Sequence, residues 1–206
     1  GEVEEEEDSE TEERGSSGDA TSLFTPALLT FLVYTAIRMM ATQMISPFMP
    51  IFMLDEKGFT VGQMGLIYSS LSISGLISAP LGGVLASRFG SKRWLTTTIT
   101  LSTVLLGLVA VAPGGWPFVV VYMVYGFSGT LGMAARSDII ARLTPRNQRG
   151  MGYSLLFLPG SIMGAVSPLF SAKLIEVLGF SQLFPIAIGI SILSILLLVF
   201  AIKDRA

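Results

Sequence analysis

The 206-residue sequence contains no cysteine and no histidine. Disulfides, zinc sites built on either residue and histidine acid–base catalysis are therefore excluded. Charge is also scarce, at 14% of residues, against 51% hydrophobic. A soluble globular domain carries roughly 25% charged residues, so a water-soluble body is not expected. The acids are missing from most of the chain. Ten of the fifteen lie in residues 1–22, with Arg14 as the accompanying base, leaving twelve bases and five acids in the remainder. The chain thus reads as a basic, membrane-embedded body behind an acidic tail.

Residues 1–22, GEVEEEEDSETEERGSSGDATS, hold no aromatic and a single valine. Such a run buries too little apolar area to offset chain entropy, so it reads as a disordered cytoplasmic tail or linker. It lacks the basic start and apolar stretch of a signal peptide. The first residue is glycine, which fits a processed chain or a piece of a longer one.

Residues 23–206 hold six stretches with the roughly 20 apolar residues that cross a bilayer: approximately 25–53, 60–86, 93–112, 117–142, 150–177 and 182–202. Backbone groups in hydrocarbon must pair within the chain, and no period-2 alternation suggests a barrel. The expected fold is an all-α integral membrane bundle of six helices. Arg14, Arg88, Lys92, Arg93, Arg142, Arg146, Arg149, Lys203 and Arg205 fall on one side, Lys57 and Lys173 on the other. That bias places both termini in the cytoplasm.

Spans 2 and 5 share a pattern: Met64-Gly65, Pro80 and Phe89-Gly90 against Met151-Gly152, Pro168 and Leu178-Gly179. Since span 2 enters the cytoplasm and span 5 leaves it, spans 1–3 and 4–6 read as two inverted three-helix repeats, a transporter architecture.

Polar residues within the spans are the candidate site. Thr35, Arg38, Thr42 and Ser46 fall at helical spacing and form one stripe on span 1. A charge at mid-bilayer costs about 2.5–3.5 kcal/mol even on the lenient scale. Two readings of Arg38 follow: a substrate-facing clamp for an anionic or carbonyl group, or a structural arginine satisfied by backbone carbonyls or a partner acid. Gln43, off the stripe, reads as a packing contact. Ser70, Ser74 and Ser78, and Gly126, Gly129 and Gly132, read as close-packing seams. Arg136, Asp138 and Arg142 at the cytoplasmic end of span 4 form either an intracellular gate or a plain helix-end ion pair. No acid lies at membrane depth, so an ion-coupling carboxylate sits elsewhere or the carrier is a uniporter or exchanger. No cofactor is expected: there is no GxxxxGK[ST] loop for direct ATP drive. Paired carboxylates or a nucleophile–base set for an enzyme are likewise lacking, and nothing suggests nucleic acid as a partner.

After span 2 the chain reads Gly83-Val84-Leu85-Ala86-Ser87-Arg88-Phe89-Gly90-Ser91-Lys92-Arg93. This resembles the signature loop of major facilitator superfamily transporters, Gly-x-x-x-Asp-Arg-x-Gly-x-(Arg/Lys)-(Arg/Lys), and sits between the same two helices. Gly83, Arg88, Gly90, Lys92 and Arg93 match, while Ser87 replaces the usual acid. Pro145-Arg146-Asn147-Gln148-Arg149-Gly150 resembles the family's turn into its fifth helix. The resemblance implies a half of a twelve-helix carrier that moves a small solute by alternating access. Its partners would be the solute, the lipid bilayer, and another six-helix half or a second copy. It also implies a gating loop weakened by Ser87, although the same bases read equally as topogenic charges. Ser87, and Tyr125 where N-terminal halves often carry arginine, favour a C-terminal half over an N-terminal half or a self-pairing bundle. The alternative class is a non-transporting membrane sensor or assembly protein.

Overall fold

The computed structural model describes residues 25–201; the 1–22 tail, Lys203 and Arg205 lie outside them. Among the described residues there is no strand, and six helices are long and apolar enough to cross a membrane. They are α1 (Pro26–Glu56), α2 (Val61–Phe89), α3 (Ser91–Val111), α4 (Trp116–Leu143), α5 (Gly150–Leu178) and α6 (Phe180–Phe200). The protein is an integral, multi-pass membrane bundle.

Local chemistry sets the ends. Thr25 caps α1 by accepting from the Leu28 N–H at 3.3 Å, ahead of Pro26 at the first helical position. Thr60 and Gln63 form a reciprocal capping box at the start of α2. In α1 the regular helix runs Pro26–Ile45, tightens to a 3₁₀ turn over Ser46–Phe48 and widens to a π turn over Phe52–Glu56. Pro47 and Pro50 lack the N–H that would continue the i→i−4 ladder there. The π turn carries α1 three residues past the end expected from hydropathy.

The packing has a two-fold pattern. α1 makes its most extensive contacts with α5 and α6, α4 makes its own with α2 and α3, and α3 lies against α6. Exchanging α1 with α4, α2 with α5 and α3 with α6 maps this set onto itself. Because successive crossings alternate in direction, the exchanged helices run oppositely, which is the inverted repeat. The repeat extends to the joints. Gly90 (φ 85°) ends α2 and Gly179 (φ 82°) ends α5, each leading straight into the next helix. Both glycines adopt a backbone that side-chain-bearing residues avoid.

Two apolar clusters fill the ends of the bundle. One gathers Met44, Met49, Phe52, Met53, Phe118 and Phe184 near the α1 π turn. Here Lys57 donates to the Ala112 carbonyl at 2.6 Å and lies over the Phe52 ring, 4.9 Å from its centre. The other gathers Leu28, Phe31, Tyr34, Leu95, Ala135 and Ile140. Arg38 and its polar neighbours lie between. α2 and α5 are the outermost helices: 17% and 18% of their central stretches are buried, against 33–44% elsewhere.

Candidate functional site

A cavity of about 720 Å³ lies between α1, α3, α4 and α5. α1 contributes Tyr34, Arg38, Met39, Thr42 and Gln43; α3 contributes Leu95, Thr98, Ile99 and Ser102. α4 presents Tyr125, Gly129, Gly132 and Arg136, and α5 presents Phe157, Gly160 and Gly164. The glycines bring α5 close: a Cβ on Gly164 would sit 2.9 Å from Gln43 Nε2.

Arg38 lines this space. Its Nη1 donates to Ser191 Oγ on α6 at 2.9 Å, and its Nη2 donates to Ser102 Oγ on α3 at 2.7 Å. Its partners are therefore neutral hydroxyls, where sequence reasoning had considered carbonyls or an acid. Both serines are buried, and Ser102 also donates to the Ile99 carbonyl at 3.0 Å. The rest of the α1 stripe divides. Thr42 lines the cavity and donates to the Arg38 carbonyl at 3.1 Å. Thr35 is buried away from the cavity with its hydroxyl unpartnered, and Ser46 is exposed at the 3₁₀ turn. Gln43, off the stripe, reaches the cavity.

α4 is kinked at the cavity wall. Its helical segments, Trp116–Leu131 and Met133–Leu143, meet at Gly132. A Cβ there would sit 2.9 Å from Thr98 Oγ1. The indole of Trp94 donates to the Leu131 carbonyl at 3.1 Å, and Gly82 of α2 fits against the same carbonyl. One turn beyond the kink, Arg136 faces the cavity with a buried Nε that has no partner.

The other two residues of the expected gate sit apart from Arg136. Asp138 accepts from Arg142 Nε at 2.8 Å and from the Ser91 hydroxyl of the α2–α3 joint. The loop that lacks an acid at Ser87 thus meets one supplied by α4. Ser87 is exposed and donates back to the Val84 carbonyl at 2.8 Å. Gly83 lies near Ala134, the Arg88 guanidinium is 5.9 Å from the Phe89 ring centre, and Gly90 makes the joint. Arg93 is exposed, and the Lys92 carbonyl accepts from Thr96. The Asp138–Ser91 contact carried no sequence signal beyond the two residues themselves. Among the described residues no three acidic side chains cluster to hold a metal.

Comparison with known proteins agrees with this architecture. The chain is 26% identical over 170 residues to the multidrug resistance protein MdtG of Serratia proteamaculans (strain 568), covering 80% of this chain and 41% of that protein. It is 27% identical over 135 residues to the multidrug resistance protein MdtH of Yersinia enterocolitica, covering 64% of this chain and 33% of that protein. It matches MdtH of Yersinia pestis (strain Pestoides F) to the same extent. The chain therefore spans between a third and two fifths of these relatives. The sequence model of the Major Facilitator Superfamily matches residues 31–206. With its six-helix inverted repeat, the chain belongs to that superfamily of membrane transporters.

Proposed function

We propose that the chain is one six-helix half of a twelve-helix carrier, the C-terminal one, with both termini in the cytoplasm. It moves a small solute across the membrane by alternating access, either coupled to an ion or facilitated. The observation that carries this reading is the cavity: helices of both repeats surround about 720 Å³ beside a half-buried arginine, Arg38. That volume lies in the range of small-molecule sites, about 300–1,000 Å³. The outward faces of α2 and α5 supply a surface for the second half. Leu66, Ile73, Leu76 and Ile77 are exposed on α2, as are Ile162, Leu169 and Phe170 on α5. Arg38, Thr42 and the cavity-facing Gln43 are the solute-contacting residues of α1 in this reading. Thr35 and Ser46 support that helix without touching the solute. Asp138, Arg142 and Ser91 form the cytoplasmic latch, and Arg88, Lys92 and Arg93 hold the α2–α3 joint at the anionic leaflet. The names of the relatives suggest amphipathic, drug-like solutes.

The test is efflux from proteoliposomes loaded with ethidium or carboxyfluorescein. The chain is reconstituted alone and as a fusion behind the part of Serratia MdtG that its match leaves uncovered. Movement of either dye by the fusion and none by the chain alone is the expected result. A folded fusion that moves neither dye overturns the carrier reading, and efflux by the monomeric chain alone overturns the half-carrier reading.

A further inference from the structure

We propose that the cavity is an oxyanion site in which Arg136 acts together with Arg38 and the Tyr34 hydroxyl. Its ligand is a solute with a carboxylate, phosphonate or phosphate-monoester head on an apolar body. This rests on the transporter reading and names the substrate class for that site.

The first argument is charge. Arg38 on α1 and Arg136 on α4 line the same cavity, and each lies within electrostatic reach of the other. No acidic residue is among those lining it. The acid nearest in sequence to Arg136, Asp138, is engaged by Arg142 and Ser91 instead. Ser102 and Ser191 satisfy two donors of Arg38 but neutralise nothing. Two like charges facing one space of low dielectric constant call for an anion between them.

The second argument is unused hydrogen-bonding capacity. Tyr34 is a lining residue of the cavity and is 0% exposed, and its hydroxyl has no partner. Arg136 Nε is likewise buried and unpartnered. Buried polar groups in native proteins are nearly always paired, so an orphaned phenol on α1 and an orphaned guanidinium nitrogen on α4, both from residues lining one cavity, mark where a ligand binds. The guanidinium fork suits a planar or tetrahedral oxyanion better than a point contact.

The kink in α4 adds to both. Arg136 lies in the first turn of the Met133–Leu143 segment, the positive end of that helix's dipole. The Leu131 carbonyl, which would oppose an anion, is held by Trp94. Met39, Leu95, Ile99, Met133 and Phe157 line the remaining wall and fit the apolar body.

The probe is phenylphosphonate, with benzamide as its uncharged counterpart. Equilibrium binding to the chain in nanodiscs is read by calorimetry. Wild type is expected to bind phenylphosphonate at least about tenfold more tightly than benzamide, and Arg136→Gln to remove that preference. Tyr34→Phe deletes a hydroxyl that has no protein partner, so the fold is kept. It is expected to weaken phenylphosphonate about threefold and leave benzamide unchanged. No preference for the anion in wild type, or a preference retained in folded Arg136→Gln, overturns the site. Should Arg136→Gln fail to fold, an unchanged phosphonate affinity in Tyr34→Phe overturns it. Binding is read without transport, so the two proposals separate. Dye movement by the fusion without anion preference removes the site and leaves the carrier, whereas anion preference without dye movement does the reverse.

Discussion

Deleting Arg38 and deleting its two serine partners break the same pair of hydrogen bonds, yet the structure predicts unequal losses. Arg38→Met forfeits two charge-assisted bonds, about 1.5–3 kcal/mol each, so about 3–6 kcal/mol in all. It also relieves the insertion cost of the charge, about 2.5–3.5 kcal/mol. The relief offsets much of the loss, leaving a net change between about 0.5 kcal/mol gained and about 3.5 kcal/mol lost. Ser102 keeps its bond to the Ile99 carbonyl after the change, so its proton is not stranded. The double variant Ser102→Ala/Ser191→Ala removes the same bonds and keeps the guanidinium inside the bundle. With nothing relieved, its loss is about 3–6 kcal/mol. Unfolding of both variants in mixed micelles by SDS titration, followed by circular dichroism, measures the difference. The single serine variants close a double-mutant cycle and show whether one hydroxyl compensates for the other. If Arg38→Met is as destabilised as the double serine variant, the hydroxyls are not what holds the charge.

Two glycine pairs give further expectations. A Cβ on Gly82 would lie 2.4 Å from the Leu131 carbonyl oxygen, part of the backbone, whereas one on Gly126 would lie 2.1 Å from Leu71 Cδ2, the end of a flexible side chain. Gly82→Ala should therefore lose about 1–3 kcal/mol, and Gly126→Ala about 0.5–1.5 kcal/mol as Leu71 changes rotamer; the same titration ranks them, and the reverse order contradicts the α2–α4 contact. Gly90→Ala and Gly179→Ala should each lose about 1–3 kcal/mol, because both joints need the same positive φ. A neutral result at one joint only would break the equivalence of the repeats.

The six spans were legible because lipid leaves the backbone few options and hydrophobic runs record that directly. The repeat was legible at Gly90 and Gly179, where a backbone requirement fixes the residue type. Elsewhere the sequence was weaker. Pro47 and Pro50 mark an irregularity in α1 but not its form, since the missing N–H groups leave both a 3₁₀ and a π turn open. Arg38 stood out because a buried charge is expensive, while its partners did not, because serines are common in these helices. Gly132 looked like one more close-packing glycine of the Gly126–Gly129–Gly132 series, and its kink appears only with Trp94 and Gly82 in place. Arg136 reaches the cavity while Asp138 and Arg142 pair elsewhere, because two residues of α-helix place Arg136 and Asp138 on nearly opposite faces of the Met133–Leu143 segment that sequence proximity had treated as one group.

The pairing of Arg38 with Ser191 bears on how the protein is made. The two residues are 153 positions apart, and Ser102 is 64 positions from Arg38. At about 5–20 residues per second of synthesis, Arg38 emerges from the ribosome roughly 8–30 s before Ser191. During that interval α1 also lacks α5 and α6, the helices it chiefly packs against. The arginine must be sheltered by the insertion machinery or by lipid phosphates until α3 supplies one hydroxyl and α6 the other. Completion of the Arg38 pairing therefore waits for α6, and a nascent chain stopped before α6 would hold that charge half satisfied.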